Sequence, residues 1–348
     1  MSDIPEDQVA KHGGRFVLGF FVYLITTGIV LGSLGFFWAA HSFNAAGPLQ
    51  ENMLISVERG SGLKKIAYQL EETGAIENRY IFVAGAQFLG ASGDLKAGEY
   101  ELEAGISAKD IVTKMRDHDV FGRRVTIREG LTSFEIVRLL NGVKELSGEV
   151  SDVPAEGSLL PNTYDYQLNE PREAILARMA EDMSKVLDAA WEERIEGLPF
   201  ETKEEALILA SIIEKETSIA KERRKVAGVF VNRLKRGIAL QTDPTVIYAI
   251  TKGEHKNDGK GPLGRRLLRK DLQYDSPYNT YKYPGLPPGP IANPGKASIE
   301  AALNPAEHDY IFFVADGTGG HAFAKTLKEH NANVAKWRKI RREQSKKD

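Results

Sequence analysis

ALILASIIEKETSIA, Ala206 to Ala220, is apolar on nearly every side. A helix without a continuous polar face cannot lie on a surface, so this stretch predicts a helix inside a domain with other elements packed round it. The helical texture extends over Glu201–Lys221. Outward from it, Pro171–Glu196 reads as a preceding helix and Glu222–Arg236, ended by Gly237, as a following one. Asp243-Pro244 combines an N-cap with proline at the first helical position and opens a short helix through Ile250. A long loop rich in Gly and Pro runs from Lys252 to Gly295, and Ser298–Leu303 is a short helix. Tyr310–Ala315 and Ala322–Thr326, joined by DGTGGH, predict a β-hairpin. The Lys/Arg-rich tail from Lys336 reads as a solvated helix end.

Upstream the texture differs. ISVERG (Ile55–Gly60) leads into SGLKKIAYQL, YELEAG (Tyr100–Gly105) into ISAKDIVTKM, and VTIREG (Val125–Gly130) into LTSFEIVRLL. Each is an alternating strand, a glycine suited to a positive-φ turn, a Ser or Thr near the helix start, and an amphipathic helix with Ile66, Ile111 or Ile136 six residues past the glycine. The pattern predicts repeated strand-helix packing. Such units are common in α+β domains, so the pattern alone leaves open whether they bind anything. From Asp152, Pro154, Gly157 and Pro161 break the periodicity and mark a new region.

FVLGFFVYLITTGIVLGSLGFFWAA, Phe16–Ala40, carries no charge and is long enough to span a bilayer core of about 30 Å. A cleavable signal would have a shorter apolar region ending at small residues, whereas this one ends in aromatics, which favours a retained anchor. Lys11 and Arg15 precede the span and no Lys or Arg follows until Arg59. The positive-inside rule then puts residues 1–15 in the cytoplasm and everything after about residue 41 outside the cytoplasmic membrane. The chain divides into tail 1–15, transmembrane helix 16–40, linker 41–52, a first folded region 53–150 and a mainly helical second region 151–340, an α+β protein overall.

The 348 residues are 42% hydrophobic and 27% charged, enough for two modest cores. A net charge of −2 gives no basic field for nucleic acid. Absence of cysteine removes disulfide and thiolate chemistry. His321 and His330 lack neighbours at metal-ligand spacing, so neither a metal nor a cofactor is implied.

Two glutamates interrupt the apolar helix. Glu216 follows Leu209, Ile212 and Ile213 by seven, four and three residues and precedes Ile219 and Ala220 by three and four, so it lies within the apolar stripe. Glu214, turned by about 200°, shares a mixed face with Ser211, Thr217, Ser218 and Lys221 that can be wet. Apolar surroundings disfavour the charged carboxylate, so Glu216 can carry a proton near neutral pH and act as a general acid. The competing reading is a structural ion pair with Arg223 or Arg233 of the next helix.

ASIIEKET, VFVNRL, LQTDPTVIY, YNTY, GLPPGPIANPG, FFVADGTGGHAF and, upstream, LPNTYDY occur in one order. Together they resemble the MltG/YceG family of endolytic murein transglycosylases over nearly the whole chain beyond the span. The resemblance implies a LysM-like α/β subdomain at 53–150 and a lysozyme-like catalytic domain with a β-hairpin at 151–340. It implies cleavage of the MurNAc-GlcNAc bond of nascent peptidoglycan strands to 1,6-anhydroMurNAc ends, which terminates elongation. Glu216 matches the catalytic acid/base, with Glu214 and Thr217 in support. Gln241, Thr242, Asp243, Tyr248, Tyr278, Asn279 and Tyr281 fall near the substrate cleft, although Asp243 also suits helix capping and Asn279 its own turn. Peptidoglycan, the inner membrane and penicillin-binding synthases are the implied partners. Asn162 stands where many relatives carry aspartate, which argues against a charge-dependent role there. Two alternatives remain: a membrane-tethered peptidoglycan-binding scaffold without catalysis, and a hydrolytic muramidase on the same fold.

Overall fold

The computed structural model of the chain describes residues 6–254 and 262–344. Residues 1–5 of the expected cytoplasmic tail, 255–261 of the expected long loop and 345–348 of the basic tail lie outside the described residues. The chain forms two compact units, Met1–Gly122 and Arg123–Asp348.

The first unit begins with helix α1 (Glu6–Asn44), of which Phe20–Asn44 is long and apolar enough to cross a membrane, with mean hydropathy 2.0. The helix runs four residues past the expected end of the span. Its last turn enters the folded region, where Phe43 is buried and its ring lies against Gly85, a place that a Cβ on Gly85 would fill. Then follow β1 (Met53–Val57), α2 (Leu63–Glu72), α3 (Arg79–Phe88), β2 (Gly98–Leu102) and α4 (Ala108–Asp117). β1 and β2 pair antiparallel with Ile55 opposite Tyr100. Ile55, Val57, Tyr100 and Leu102 on one sheet face pack with Ile66, Leu70, Phe82, Ile111 and Met115 from the helices. Helix α3 was not expected. Asn78 caps it by accepting from the backbone N–H groups of Tyr80 and Ile81 at 2.8 and 3.2 Å.

The second unit contains β3 (Arg123–Thr126), α5 (Ser133–Asn141), β4 (Thr163–Tyr166), α6 (Arg172–Glu192), α7 (Lys203–Glu216), α8 (Ala220–Lys235), α9 (Asp243–Thr251), α10 (Lys296–Leu303), the hairpin β5 (Phe312–Ala315) and β6 (His321–Ala324), and α11 (Leu327–Gln344). The two units divide upstream of the boundary expected at 150, and the reason is strand pairing. β3 pairs antiparallel with β4, Val125 opposite Tyr164, so the third strand-glycine-helix segment belongs to the second unit. Its local pattern is the same as in the first two: Gly60, Gly105 and Gly130 have φ of 82°, 71° and 76°, and Ile66, Ile111 and Ile136 are buried. Local pattern specifies the element; a partner far along the chain decides which sheet it joins.

α7 is the central helix of the second unit. Thr202 and Glu205 close a capping box at its start. Leu209, Ala210, Ile212 and Ile213 are fully buried between α6, α8, α9 and α10. The single helix expected over Glu201–Lys221 is two. Thr217 is extended, with φ −144° and ψ 128°, and its hydroxyl accepts from Ile219 N at 3.1 Å before α8 restarts at Ala220. Side-chain capping by a threonine competes with helix continuation. Glu216 is therefore the last residue of α7, and Ile219 and Ala220 do not continue its stripe.

Candidate functional site

Glu216 closes a helix whose preceding turns are dry, and α9 brings its hydrogen-bond partner. Thr242 Oγ1 donates to Glu216 Oε1. Thr242 is itself held: its N–H donates to Thr280 Oγ1 at 3.1 Å, and Thr245 Oγ1 lies 2.8 Å from Thr280 Oγ1 and donates to Thr242 O at 2.7 Å. All three threonines are buried. A donor fixed this way keeps its geometry when the carboxyl changes charge.

Burial raises the Glu216 pKa from 4.5 to about 6. Thr242 acts against the rise by donating to the carboxylate, Asp243 adds to it by like charge, and His321 opposes it. The ion-pair reading fails on geometry. Arg233 donates to Ala239 O, Ile311 O and Gln241 Oε1 at 2.7 to 2.9 Å, and Arg223 lies 3.9 Å from Glu129. Among the described residues no cation forms an ion pair with Glu216.

Glu214 is half-buried and its carboxylate is engaged. Its carboxylate accepts from Gly295 N at 3.0 Å and Ser298 Oγ at 2.7 Å, so it caps α10. Ser211, on the same face, is buried, donating to Ile208 O and accepting from Ile291 N. Of the mixed face, Ser211 and Glu214 pack against the GLPPGPIANPG loop and the start of α10, whereas Ser218 and Lys221 are exposed as expected. Thr217 is buried and serves the α7–α8 break.

The residues expected near the cleft separate into groups. Gln241 sits in the left-handed region at φ 53°, held there by Arg233 and by donation from its N–H to Thr280 O. A non-glycine residue in that region is strained, and the strain directly precedes the threonine that holds Glu216. Thr242 is the N-cap of α9 and Asp243 its first residue, which corrects the capping assignment. Asp243 Oδ1 instead accepts from Tyr281 OH at 2.7 Å. Burial, then Asp243 and Glu216, push the Tyr281 hydroxyl up, keeping it a donor. Tyr248 and Tyr278 stand with ring centroids 5.0 Å apart, and Tyr248 shares a hydrogen bond with the half-buried Glu156. Asn279 is fully buried and spent: it donates to Leu272 O and Tyr274 O and accepts from Tyr281 N. It builds the turn that presents Tyr278 and Tyr281.

Several contributors were not assigned these roles from sequence: Thr280, Glu222, Glu156 and Arg233 as an anchor for Gln241. Arg233 had a readable signal, a lone cation seven, four and three residues after the buried Val226, Val229 and Phe230. Glu222 had none, because its partner His321 comes from the hairpin. Among the described residues no group of three or more His, Asp or Glu side chains could hold a metal ion.

Comparison with known proteins agrees with this arrangement of motifs. The sequence model of the YceG-like family matches residues 55–336. An endolytic murein transglycosylase of Bacillus subtilis is 34% identical over 320 residues, covering 81% of this chain and 84% of the relative. An endolytic murein transglycosylase of Streptococcus pneumoniae strain D39 is 28% identical over 378 residues, covering 93% of this chain and 65% of the relative. A 2.6 Å crystal structure of a yceG-like protein of Listeria monocytogenes shares 32% identity, with a TM-score of 0.49, covering 81% of this chain and 99% of that one.

Proposed function

This chain belongs to the YceG-like family, and from that premise we propose that it is a lytic transglycosylase of peptidoglycan with Glu216 as its acid/base. The observation that carries the reading is a half-buried carboxyl at the end of a buried helix, fixed by Thr242, in no ion pair among the described residues, and with a pKa raised to about 6. At neutral pH about a tenth of such a group is protonated. That fraction is the competent acid, and the remainder exchanges with it rapidly.

The chemistry needs one carboxyl group in two states. Glu216 gives its proton to the oxygen joining N-acetylmuramic acid to N-acetylglucosamine as the bond from C1 to that oxygen breaks. The muramic acid C6 hydroxyl closes onto C1, and its proton passes to the Glu216 carboxylate. The 1,6-anhydro end forms, no water is consumed, and the enzyme returns to its starting protonation. Because the nucleophile is part of the substrate, its effective concentration is high and the site has only to hold the ring in a reactive shape. Tyr281 and Asp243, hydrogen-bonded to each other beside Glu216, and the Tyr248–Tyr278 pair offer polar edges and ring faces for that task. A hydrolase would use a second carboxylate to activate water. Asp243 is engaged by Tyr281, which favours the intramolecular route.

The helix α1 supports attachment to the cytoplasmic membrane with the two units on its outer face, and synthases that extend glycan strands are the fitting partners there. The β1-α2-α3-β2 arrangement supports the LysM-like reading of the first unit, with a part in gripping glycan. The second unit, with its acid at the end of a buried helix, supports the lysozyme-like reading. Digestion of purified glycan strands by the full chain, with products weighed, tests the function: anhydro ends are expected, and reducing ends or intact strands would overturn it.

A further inference from the structure

Helix α1 does not end in a free linker. It runs unbroken from the apolar stretch to Asn44, and the segment after it is tied down: Gly47 N donates to Gly105 O at 3.1 Å and Gly105 N to Leu49 O at 2.9 Å. Phe43 is buried with its ring against Gly85 of α3. A Cβ on Gly47 would lie 3.6 Å from Ala75 O, just before α3. These two contacts fix the direction of packing. Going back along the chain from Gly47 to Phe43 means going forward from Ala75 to Gly85, so α3 runs antiparallel to α1 and its C-terminal end points towards the apolar span. Asn78 and Ile81 fill the interval, lining one cavity with His41, Ser42 and Ala45.

Phe88 follows Gly85 by three residues and Ile81 by seven, so it shares the face of α3 that packs on α1. It lies about 4.5 Å further along the α3 axis than Gly85, on the side of the span. It is nevertheless 83% exposed. On α1, Ala39 and Ala40 are half-buried, whereas Phe36, Phe37 and Trp38 are exposed. Tyr80 to Gly93 carries no charge in a chain that is 27% charged, so beyond Arg79 neither α3 nor the turn after it brings a charge to this place.

We propose that the C-terminal end of α3 dips into the lipid surface beside α1, with Phe88 as an interfacial anchor. The inference rests on the reading of α1 as a membrane helix and goes beyond it, because it makes the first unit a body seated on the bilayer and not one that swings from it. A lone exposed aromatic needs no explanation. Phe88 differs in its place, on the packed face of a helix whose end points at an apolar span. A phenylalanine ring in water forfeits the hydrophobic gain that lipid contact returns, and aromatic side chains are suited to the zone where acyl chains meet headgroups. With α1 in the bilayer the ring is already held at the surface, so its insertion carries no further cost of bringing protein and membrane together. A protein partner at this face would first have to displace the headgroups that surround the span.

The chain has no cysteine, so single cysteines label uniquely. The full chain carrying an environment-sensitive fluorophore at Phe88→Cys, Tyr80→Cys or Ile29→Cys is placed in phosphatidylcholine nanodiscs. Quenching by iodide in the water is compared with quenching by nitroxides on the acyl chains. Ile29 lies within the span, and Tyr80 lies about 12 Å back along α3 from Phe88. Loss of iodide quenching together with acyl-chain quenching is expected at the Ile29 and Phe88 sites, and the reverse at the Tyr80 site. A fluorophore at Ser92→Cys, exposed in the turn after α3, separates the ring from the dye: Phe88→Ser is expected to restore iodide quenching there, and an unchanged signal would remove Phe88 as the anchor. An Ile29 site in lipid with a Phe88 site open to iodide would overturn the proposal and leave the membrane reading standing. So would a Phe88 site shielded from iodide yet untouched by the nitroxides, which marks a covering protein surface. An Ile29 site open to iodide would sink the membrane reading and the inference with it.

Discussion

A carboxyl group with the role proposed for Glu216, both giving and taking a proton, is costly to keep inside a protein, and here the cost can be located. Its folded pKa of about 6 lies above the ordinary 4.5, so the folded chain binds this proton more tightly than the unfolded chain does. Stability therefore falls as pH rises through that window and the penalty persists above it, at about 2 kcal/mol. Glu216→Gln removes the penalty together with the chemistry. Anhydro-product formation should drop by about 10²–10⁴-fold or more, while the melting temperature at neutral pH should exceed that of the unaltered chain and the difference should vanish in mild acid. A variant that is inactive and also less stable at neutral pH would mean that Glu216 is a structural anchor. Thr242→Val tests the other side of the balance. Loss of its donation raises the Glu216 pKa further, so the alkaline limb of the pH-rate profile should move upward, and a profile that stays put would remove Thr242 from the acid's environment.

Glu214, two residues upstream, belongs to a different structure. It caps α10 through Gly295 N and Ser298 Oγ, in a setting where the start of a helix favours negative charge. Glu214→Ala should cost about 1–3 kcal/mol and lower the melting temperature, whereas kcat of the folded fraction should fall far less than in Glu216→Gln. Arg233 is the second test at this scale, because it joins α8 to the loop before α9 and to the entry of β5. Arg233→Lys supplies one point charge where a planar fork meets several acceptors. Its expected effect is a lower melting temperature together with reduced kcat, since Gln241 loses the contact that holds its strained backbone. These elements also show what the sequence made legible. The buried helix, the three positive-φ glycines and the hairpin could be read, since each depends on spacing within a few residues. The break at Thr217 and the engagement of Glu214 could not: the first turns on one side-chain hydrogen bond and the second on α10, some eighty residues away.

The same limit governs the division of the whole chain, and it can be tested by cutting. Three segments with one pattern invite one domain through residue 150, yet the third is structural to the second unit. Val125, Ile127, Ile136, Val137, Leu140 and Leu146 form one core with Tyr164, Tyr166, Ile175 and Met179. Arg172, buried at the start of α6, donates to Leu140 O, Val143 O and Gly148 O at 2.5 to 2.7 Å, and Glu156 accepts from Ser133 N at 2.9 Å. A fragment beginning at Ser151 would strip these acceptors from a buried guanidinium and leave half a core in water. Each lost aliphatic side chain forfeits about 1.5–3 kcal/mol, and a domain has only about 5–15 kcal/mol in total. A fragment beginning at Arg123 keeps all of it. The expected outcome is one cooperative thermal transition and anhydro-product formation for the fragment from Arg123, and neither for the fragment from Ser151. Comparison of the Arg123 fragment with the full chain on long glycan strands then isolates the first unit: a higher KM with unchanged kcat marks it as a glycan grip, and equal constants would reduce it to a spacer between the apolar helix α1 and the second unit.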